Sequence, residues 1–370
     1  MVKKSSLGVV VSFVAVFAAC QPDTPAAPVA IQSSTVARAQ AADNDGGFTY
    51  AVIGDMPYGT GKLDSLPQLI SLINGDPVVE RVIHVGDIKS GSNSDCNDAY
   101  FATIRGLFDT FEDPLVYTIG DNEWTDCHTF GKHNGLYTPT ERLQAIRTLF
   151  FAVPGRTLGI NATHVFTQAD DPATASNVEN VWWTEGDVVF AALNITGSFN
   201  DLAPWSATPA PWTTTPPDMP ATWVNYPSQA DEFAERARAD SALIAQAFAT
   251  ATRRNARGVV LAFQADMWDP AEQVKDPATF NAGFDALVVQ IGTLAAQFGR
   301  AVMLLEGDSH VWRVDTPFTP GTPQFSMYAN TPVAKTIAAM PTRRAPLAPL
   351  LRHPLAPTAP SQAAEMAETP

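Results

Sequence analysis

Short apolar runs alternate with longer amphipathic stretches through the middle of the chain. Residues 48–53, 81–85 and 114–119 read as strands, and 63–74, 98–111 and 140–151 as the helices that follow them. Residues 181–184 and 188–193 read as a hairpin turning at Gly186-Asp187. A long helix over 228–255 comes next. Ser228 and Asp231 form a capping pair at its start, and Arg253, Arg254 and Arg257 cluster where the helix dipole favours positive charge. Residues 258–263 and 301–305 read as buried strands on either side of a helix over 278–298. This alternation predicts an α/β domain with a largely parallel central sheet. Residues 204–220, rich in Pro and Thr, read as a long loop with the reach of a lid.

The pattern fails at both ends. Residues 21–47 are rich in Ala, Pro, Ser and Gln, and 336–370 in Pro and Ala; without an apolar period they read as a flexible tether and a disordered tail around a domain of 48–335. Residues 1–20 begin with Lys3 and Lys4 and continue in an uncharged run, 8–19, too short to span a bilayer, which needs about 20 apolar residues. The run ends in Phe17-Ala18-Ala19-Cys20, which resembles the lipobox of bacterial lipoproteins. That resemblance makes Cys20 the lipidated first residue. Gln21 in place of Asp then implies an outer-membrane anchor, with the domain facing the periplasm or the cell surface. An ordinary signal peptide with a chance Cys is the alternative; both export the chain from a bacterial cytoplasm.

Composition narrows the partners. With 23 Lys and Arg against 38 Asp and Glu, the net charge of −15 excludes the basic footprint of a nucleic-acid binder. A hydrophobic share of 45% is enough for a true core. Membrane contact is expected only through the anchor, and nothing assigns an oligomeric state. Disulfides persist in exported proteins, so Cys96 and Cys127, each following an Asp in a polar loop, are expected to pair. Two free thiols or a pair of soft metal ligands are the alternatives.

The chemistry collects where strands end. The first three strands run into Gly54-Asp55-Met56-Pro57-Tyr58, Gly86-Asp87-Ile88-Lys89 and Gly120-Asp121-Asn122-Glu123-Trp124. Later ones run into Asn194, Gln264-Ala265-Asp266 and Gly307-Asp308-Ser309-His310. Open α/β sheets bind ligands outside the carboxyl ends of their strands. That edge would gather Asp55, Asp87, Asp121, Asp308 and His310, and carboxylates so crowded require cations or raised pKa values. Any single Gly-Asp pair is as readily a turn.

In these motifs the chain resembles the calcineurin-like metallophosphoesterases. That family carries Asp-x-His, Gly-Asp, Gly-Asn-His-Asp/Glu, a lone His and Gly-His-x-His after successive strands. The run from His84 to Lys89, Gly120 to His128, Gln264 to Asp266 and Gly307 to His310 look like a divergent bacterial branch of it. The resemblance implies a β-sandwich flanked by helices, a metal site at the carboxyl ends of the strands, and hydrolysis of a phosphate ester by a metal-activated water. Asp55 matches the first Asp, with Pro57 where a His ligand is expected. Asp87 matches the bridging carboxylate, Asp121 the metal-binding Asn, Asn122 the catalytic His and Glu123 the acid after it. Gln264 stands at the lone His, Asp308 at the first His of the last motif, and His310 keeps the last. One ion would then be held by Asp55, Asp87 and His310, a second by Asp87, Asp121, Gln264 and Asp308. So oxygen-rich a set favours one or two ions of Mn²⁺, Mg²⁺ or Ca²⁺ over Zn²⁺.

Other residues carry weaker expectations. His128 is placed to replace the missing general acid, or is a surface-loop His. Lys89 and Asn194 are candidate phosphate contacts, or a solvated lysine and a turn residue. His84 reads as a core His, and Trp124 and Trp268 as pocket walls or packing. Two functions follow. The first is an exported metal-dependent phosphoesterase acting on a small phosphate ester. The alternative is the same fold with degraded metal sites, binding a ligand or partner without hydrolysis. A haloacid-dehalogenase mechanism is excluded by Pro57, which stands where a second acid is needed. A dinucleotide site is excluded by the lack of a GxGxxG after the first strand.

Overall fold

The computed structural model describes residues 48–92, 96–129, 137–205, 226, 228–311, 313–329 and 331. The expected leader with Cys20, the expected tether 21–47 and tail 336–370, and most of the stretch 204–220 expected to be a loop lie outside the described residues. In chain order the elements are β1 (Thr49–Ile53), α1 (Gly59–Asn74), β2 (Val79–His84), α2 (Asp98–Phe108), β3 (Leu115–Tyr117), α3 (Pro139–Phe150), β4 (Phe166–Thr167), β5 (Val181–Glu185), β6 (Val188–Ala192), α4 (Gly197–Asp201), α5 (Gln229–Arg253), β7 (Gly258–Ala262), α6 (Pro270–Gln273), α7 (Pro277–Phe298), β8 (Ala301–Leu305) and α8 (Pro323–Met327).

The protein is a mixed α/β fold with two sheets, where the periodicity alone predicts a single largely parallel one. The first sheet is parallel, in the order β1-β2-β3. The second runs β4-β5-β6-β7-β8, antiparallel from β4 to β6 and parallel from β6 to β8. β6 and β7 are buried along their whole length, as parallel interior strands are. The change of direction comes at Gly186-Asp187, both at positive φ, the conformation a two-residue hairpin loop requires.

Because side chains alternate across a strand, each sheet contributes to two clusters. Val82, Leu115 and Tyr117 pack with α1, α2 and α3 through Leu66, Phe101, Phe108 and Phe150. Val189, Ala191, Val259 and Leu261 pack with α5 and α7 through Leu243, Ala247, Phe284 and Ile291. The opposite faces meet in a third cluster: Tyr50, Ile83 and Val116 from the first sheet with Trp183, Phe190 and Val260 from the second. Trp124 and Trp268 are packing residues, buried in the two helix-facing clusters. α5 starts where its sequence dictates, with the Ser228 side chain accepting the Asp231 N–H. Cys96 and Cys127 are joined, with Cα atoms 5.9 Å apart, which ties the loop after β2 to the loop after β3. No helix among the described residues is long and apolar enough to cross a membrane.

Candidate metal centre

The strands of the first sheet and β8 each run into a loop that delivers a Gly-Asp pair: Gly54-Asp55, Gly86-Asp87, Gly120-Asp121 and Gly307-Asp308. The glycines let these loops close on one another. A Cβ on Gly120 would stand 2.2 Å from Asp87 Oδ1, and one on Gly307 3.0 Å from Asp55 Oδ2. Asp55, Asp87, Asp308 and His310 adopt φ of 53°, 59°, 70° and 54°. Non-glycine residues rarely occupy that region, and such strain concentrates at functional sites.

Hydrogen bonds lock the loops in this arrangement. The Asp55 N–H donates to Gly86 O at 3.0 Å, and the Asp308 N–H to Asp55 Oδ1 at 2.9 Å. Glu123 Oε1 accepts the Asp87 N–H at 3.1 Å, the Gly120 N–H at 2.6 Å and the Tyr117 hydroxyl at 2.7 Å. Glu123 therefore clamps the two loops rather than facing the cluster. His84 is the core histidine its strand position suggests: Nε2–H donates to Met56 O at 3.0 Å and Nδ1 accepts the Gly86 N–H at 3.2 Å. Burial pushes its pKa down to about 4, so the ring is neutral near pH 7.

Two groups of donors result. Ligand atoms of Asp55, Asp87 and His310 lie within 4.8 Å of one another, and those of Asp87, Asp121 and Asp308 do the same. Asp87 belongs to both. Burial raises the carboxyls of Asp87, Asp121 and Asp308 well above the ordinary carboxylate range, and repulsion from neighbouring acids raises them further. Burial also raises Asp55, against the pull of His310. Buried and half-buried oxygens at such separations, with one exposed imidazole, match what hard divalent cations take.

Not every expected residue joins the cluster. Gln264 turns its oxygen away: Oε1 accepts the Gly197 N–H at 2.5 Å, and the NH₂ donates to Asp121 Oδ1 at 3.3 Å. Since the Gly197 N–H can only donate, this orientation is set, and Gln264 positions Asp121 instead of offering a ligand oxygen. Lys89 is buried and donates to Ser90 O and to Asn122 O at 3.0 Å, bracing the loops instead of reaching solvent. Its burial lowers the ammonium pKa to about 8. Asn194 is also buried. Its NH₂ donates to Glu179 Oε1 at 2.8 Å, so it belongs to an Arg147–Glu179 network and not to the cluster of Asp55, Asp87, Asp121 and Asp308. His128 lies in a 3-10 turn, Thr125–His128, buried with its ring 6.4 Å from that of Trp205. Asn122 does face the site, donating from Nδ2 to Asp87 Oδ2 at 2.7 Å and to the Tyr58 hydroxyl at 3.4 Å.

No protein-family model matches the chain, nor does any curated protein or solved structure.

Two contributors escaped the motif reading. The Tyr58 hydroxyl donates to Asp87 Oδ2 at 2.9 Å and lies 3.0 Å from His310 Nε2. It is adjacent to Pro57, and its place in the first loop was the available signal. The second is α4, whose Ser198, Phe199 and Asn200 are left-handed, at (48°, 42°), (58°, 40°) and (58°, 45°). A left-handed residue costs about 1–2 kcal/mol, so consecutive ones need external support. Arg236, fully buried, supplies it: Nη1 donates to Asn200 Oδ1 and to Asn194 O, and Nη2 to Asn200 O at 3.0 Å. The turn brings the Ser198 hydroxyl to 3.1 Å from Asp121 Oδ2 and 2.6 Å from Asp126 Oδ1. No local pattern in the sequence announces it.

Proposed function

We propose that the chain is an exported, divalent-metal-dependent phosphoesterase of the calcineurin-like type. The observation that carries this reading is the sharing of Asp87 by two three-donor groups, built from loops that follow successive strands. The order of the motifs along the chain supports it. The cluster shared by the two sheets supports a β-sandwich flanked by helices, with the site at the carboxyl ends of β1, β2, β3 and β8.

Asp55, Asp87 and His310 would hold one ion and Asp87, Asp121 and Asp308 the other, a donor set suited to Mn²⁺, Mg²⁺ or Ca²⁺ more than Zn²⁺. Bound there, the ions would polarise a phosphoryl oxygen and lower the pKa of a water near neutral pH. Asn122 sits beside them with an amide able to donate a hydrogen bond to a phosphoryl oxygen, in place of its 3.4 Å contact with Tyr58. An amide has no proton to give a departing alkoxide. A general acid contributes about 10²–10⁴-fold, so the preferred substrates are esters whose leaving groups depart unprotonated, aryl phosphates above alkyl ones. The joined Cys96 and Cys127 support an oxidising, exported location; the lipid anchor at Cys20 rests on the leader sequence.

The test is metal analysis of the purified protein, followed by assays with p-nitrophenyl phosphate and bis-p-nitrophenyl phosphate. Hydrolysis should appear with Mn²⁺, vanish on chelation, and fall together with metal content in Asp87→Asn. Metal-loaded protein that cleaves neither ester overturns the enzyme reading and leaves a ligand-binding protein, which the replacements at Pro57 and Asn122 would then explain.

A further inference from the structure

The first donor group is short of ligands. Asp55, Asp87 and His310 offer three side chains, whereas Mg²⁺ takes six donors and Ca²⁺ six to eight. Tyr58 lies inside this group. Its hydroxyl is 2.9 Å from Asp87 Oδ2 and 3.0 Å from His310 Nε2. Around an octahedral cation with bonds of about 2.0–2.1 Å, neighbouring donors stand about 2.9–3.0 Å apart along each edge. The hydroxyl thus holds the spacing of an adjacent ligand to two members of the group at once. The ring packs edge-on against the His310 ring, with centroids 5.2 Å apart, which fixes where the oxygen points. Its third hydrogen-bond partner, Asn122 at 3.4 Å, also belongs to the site. A phenylalanine would pack as well, so the oxygen's contribution is made inside the cluster.

We infer that the Tyr58 hydroxyl oxygen is a ligand of the cation held by Asp55, Asp87 and His310. The inference rests on the metal reading proposed above. It would give this group four donors, three oxygen-bearing side chains and one imidazole, beside a second group made of carboxylates alone. The alternative is a hydroxyl that only orients Asp87 by hydrogen bonding.

Tyr58→Phe keeps the ring and removes the oxygen. The wild-type chain and the variant, stripped of metal, are titrated with Mn²⁺ by calorimetry. Changes one step out from a metal cost about 10–100-fold in affinity. Loss of a direct ligand should weaken one binding event by at least that much and leave the other unchanged. The two proteins are then loaded with ferric iron, and their iron content is measured. A phenol that coordinates ferric iron releases its proton to solvent, and the bound phenolate gives a ring-to-iron charge-transfer band in the visible, whereas a phenol that only orients Asp87 keeps its proton and gives none. The band should appear in the wild type and be missing in Tyr58→Phe at equal iron content. Equal Mn²⁺ isotherms, or iron-loaded wild type without the band, overturn the ligand assignment while the metal centre stands. A wild-type chain that binds no divalent ion overturns both.

Discussion

Replacing Cys96 and Cys127 together by Ser cuts a cross-link whose two sulfurs each lie 3.6 Å from the carbonyl oxygen of Asn122. The bond closes a segment of 31 residues that starts after the Asp87 loop and ends after the Asp121 loop. In the chain-entropy account, releasing a loop of that length costs about 4 kcal/mol at 25 °C. For a domain of this size, roughly 2–4 °C of melting temperature accompanies each kcal/mol, so the double variant should melt roughly 8–15 °C lower. The Glu123 clamp remains, as do the bonds Arg142 makes to Cys96 O at 2.8 Å and Tyr137 to Cys127 O at 3.2 Å. These contacts act on the folded state and leave the unfolded chain unrestrained, so they cannot replace the cross-link. Circular dichroism melts in chelator, repeated in saturating Mn²⁺, measure the effect. Metal should recover part of the loss by mass action if the two loops still meet. A drop of less than about 2 °C would refute the reasoning, because it would mean that the cross-link restrains nothing the rest of the fold leaves free.

Three further outcomes are expected. In Gly197→Ala the added Cβ meets Asp121 Oδ2 at 2.6 Å and Asp308 Oδ2 at 2.8 Å, so Mn²⁺ affinity measured by calorimetry should fall while the far-ultraviolet spectrum is retained. The Asp308 carboxyl is raised in the fold by burial first and by Asp121 and Asp55 next, so without metal its contribution to stability is full below the unfolded pKa of about 3.9 and is lost as pH rises through the raised value. Asp308→Asn in chelator should therefore gain on the wild type with rising pH and melt higher at pH 8, while saturating Mn²⁺ reverses the order; parallel pH profiles in chelator would contradict this. Asn122→Ala should lower kcat toward p-nitrophenyl phosphate even at saturating Mn²⁺, where any loss of affinity through its contact with Asp87 is made up by mass action, since its amide is not among the ligand groups.

Local information settled much of the architecture in advance. The hairpin expected over 181–193 is β5 and β6, and the helix expected over 228–255 is α5. Apolar period, Gly-Asp punctuation and a Ser228 cap act over a few residues, and a linear pattern records them. The four Gly-Asp pairs were legible for the same reason. The apolar pattern did not divide the strands between two sheets, because a buried strand's apolar run does not name its neighbour; the expectation of two sheets came from the motif resemblance. The placing of side chains within the site was not legible. Asp308 bonds to Asp55 across 253 residues, and Tyr58 lies beside His310 across 252. The rotation of Gln264 toward Gly197, the withdrawal of Lys89 and Asn194 into hydrogen-bond networks, and the left-handed turn held by Arg236 were likewise decided by tertiary structure. Each depends on which donor or acceptor the fold brings within about 3 Å, and that is a property of packed loops rather than of neighbouring residues in the chain.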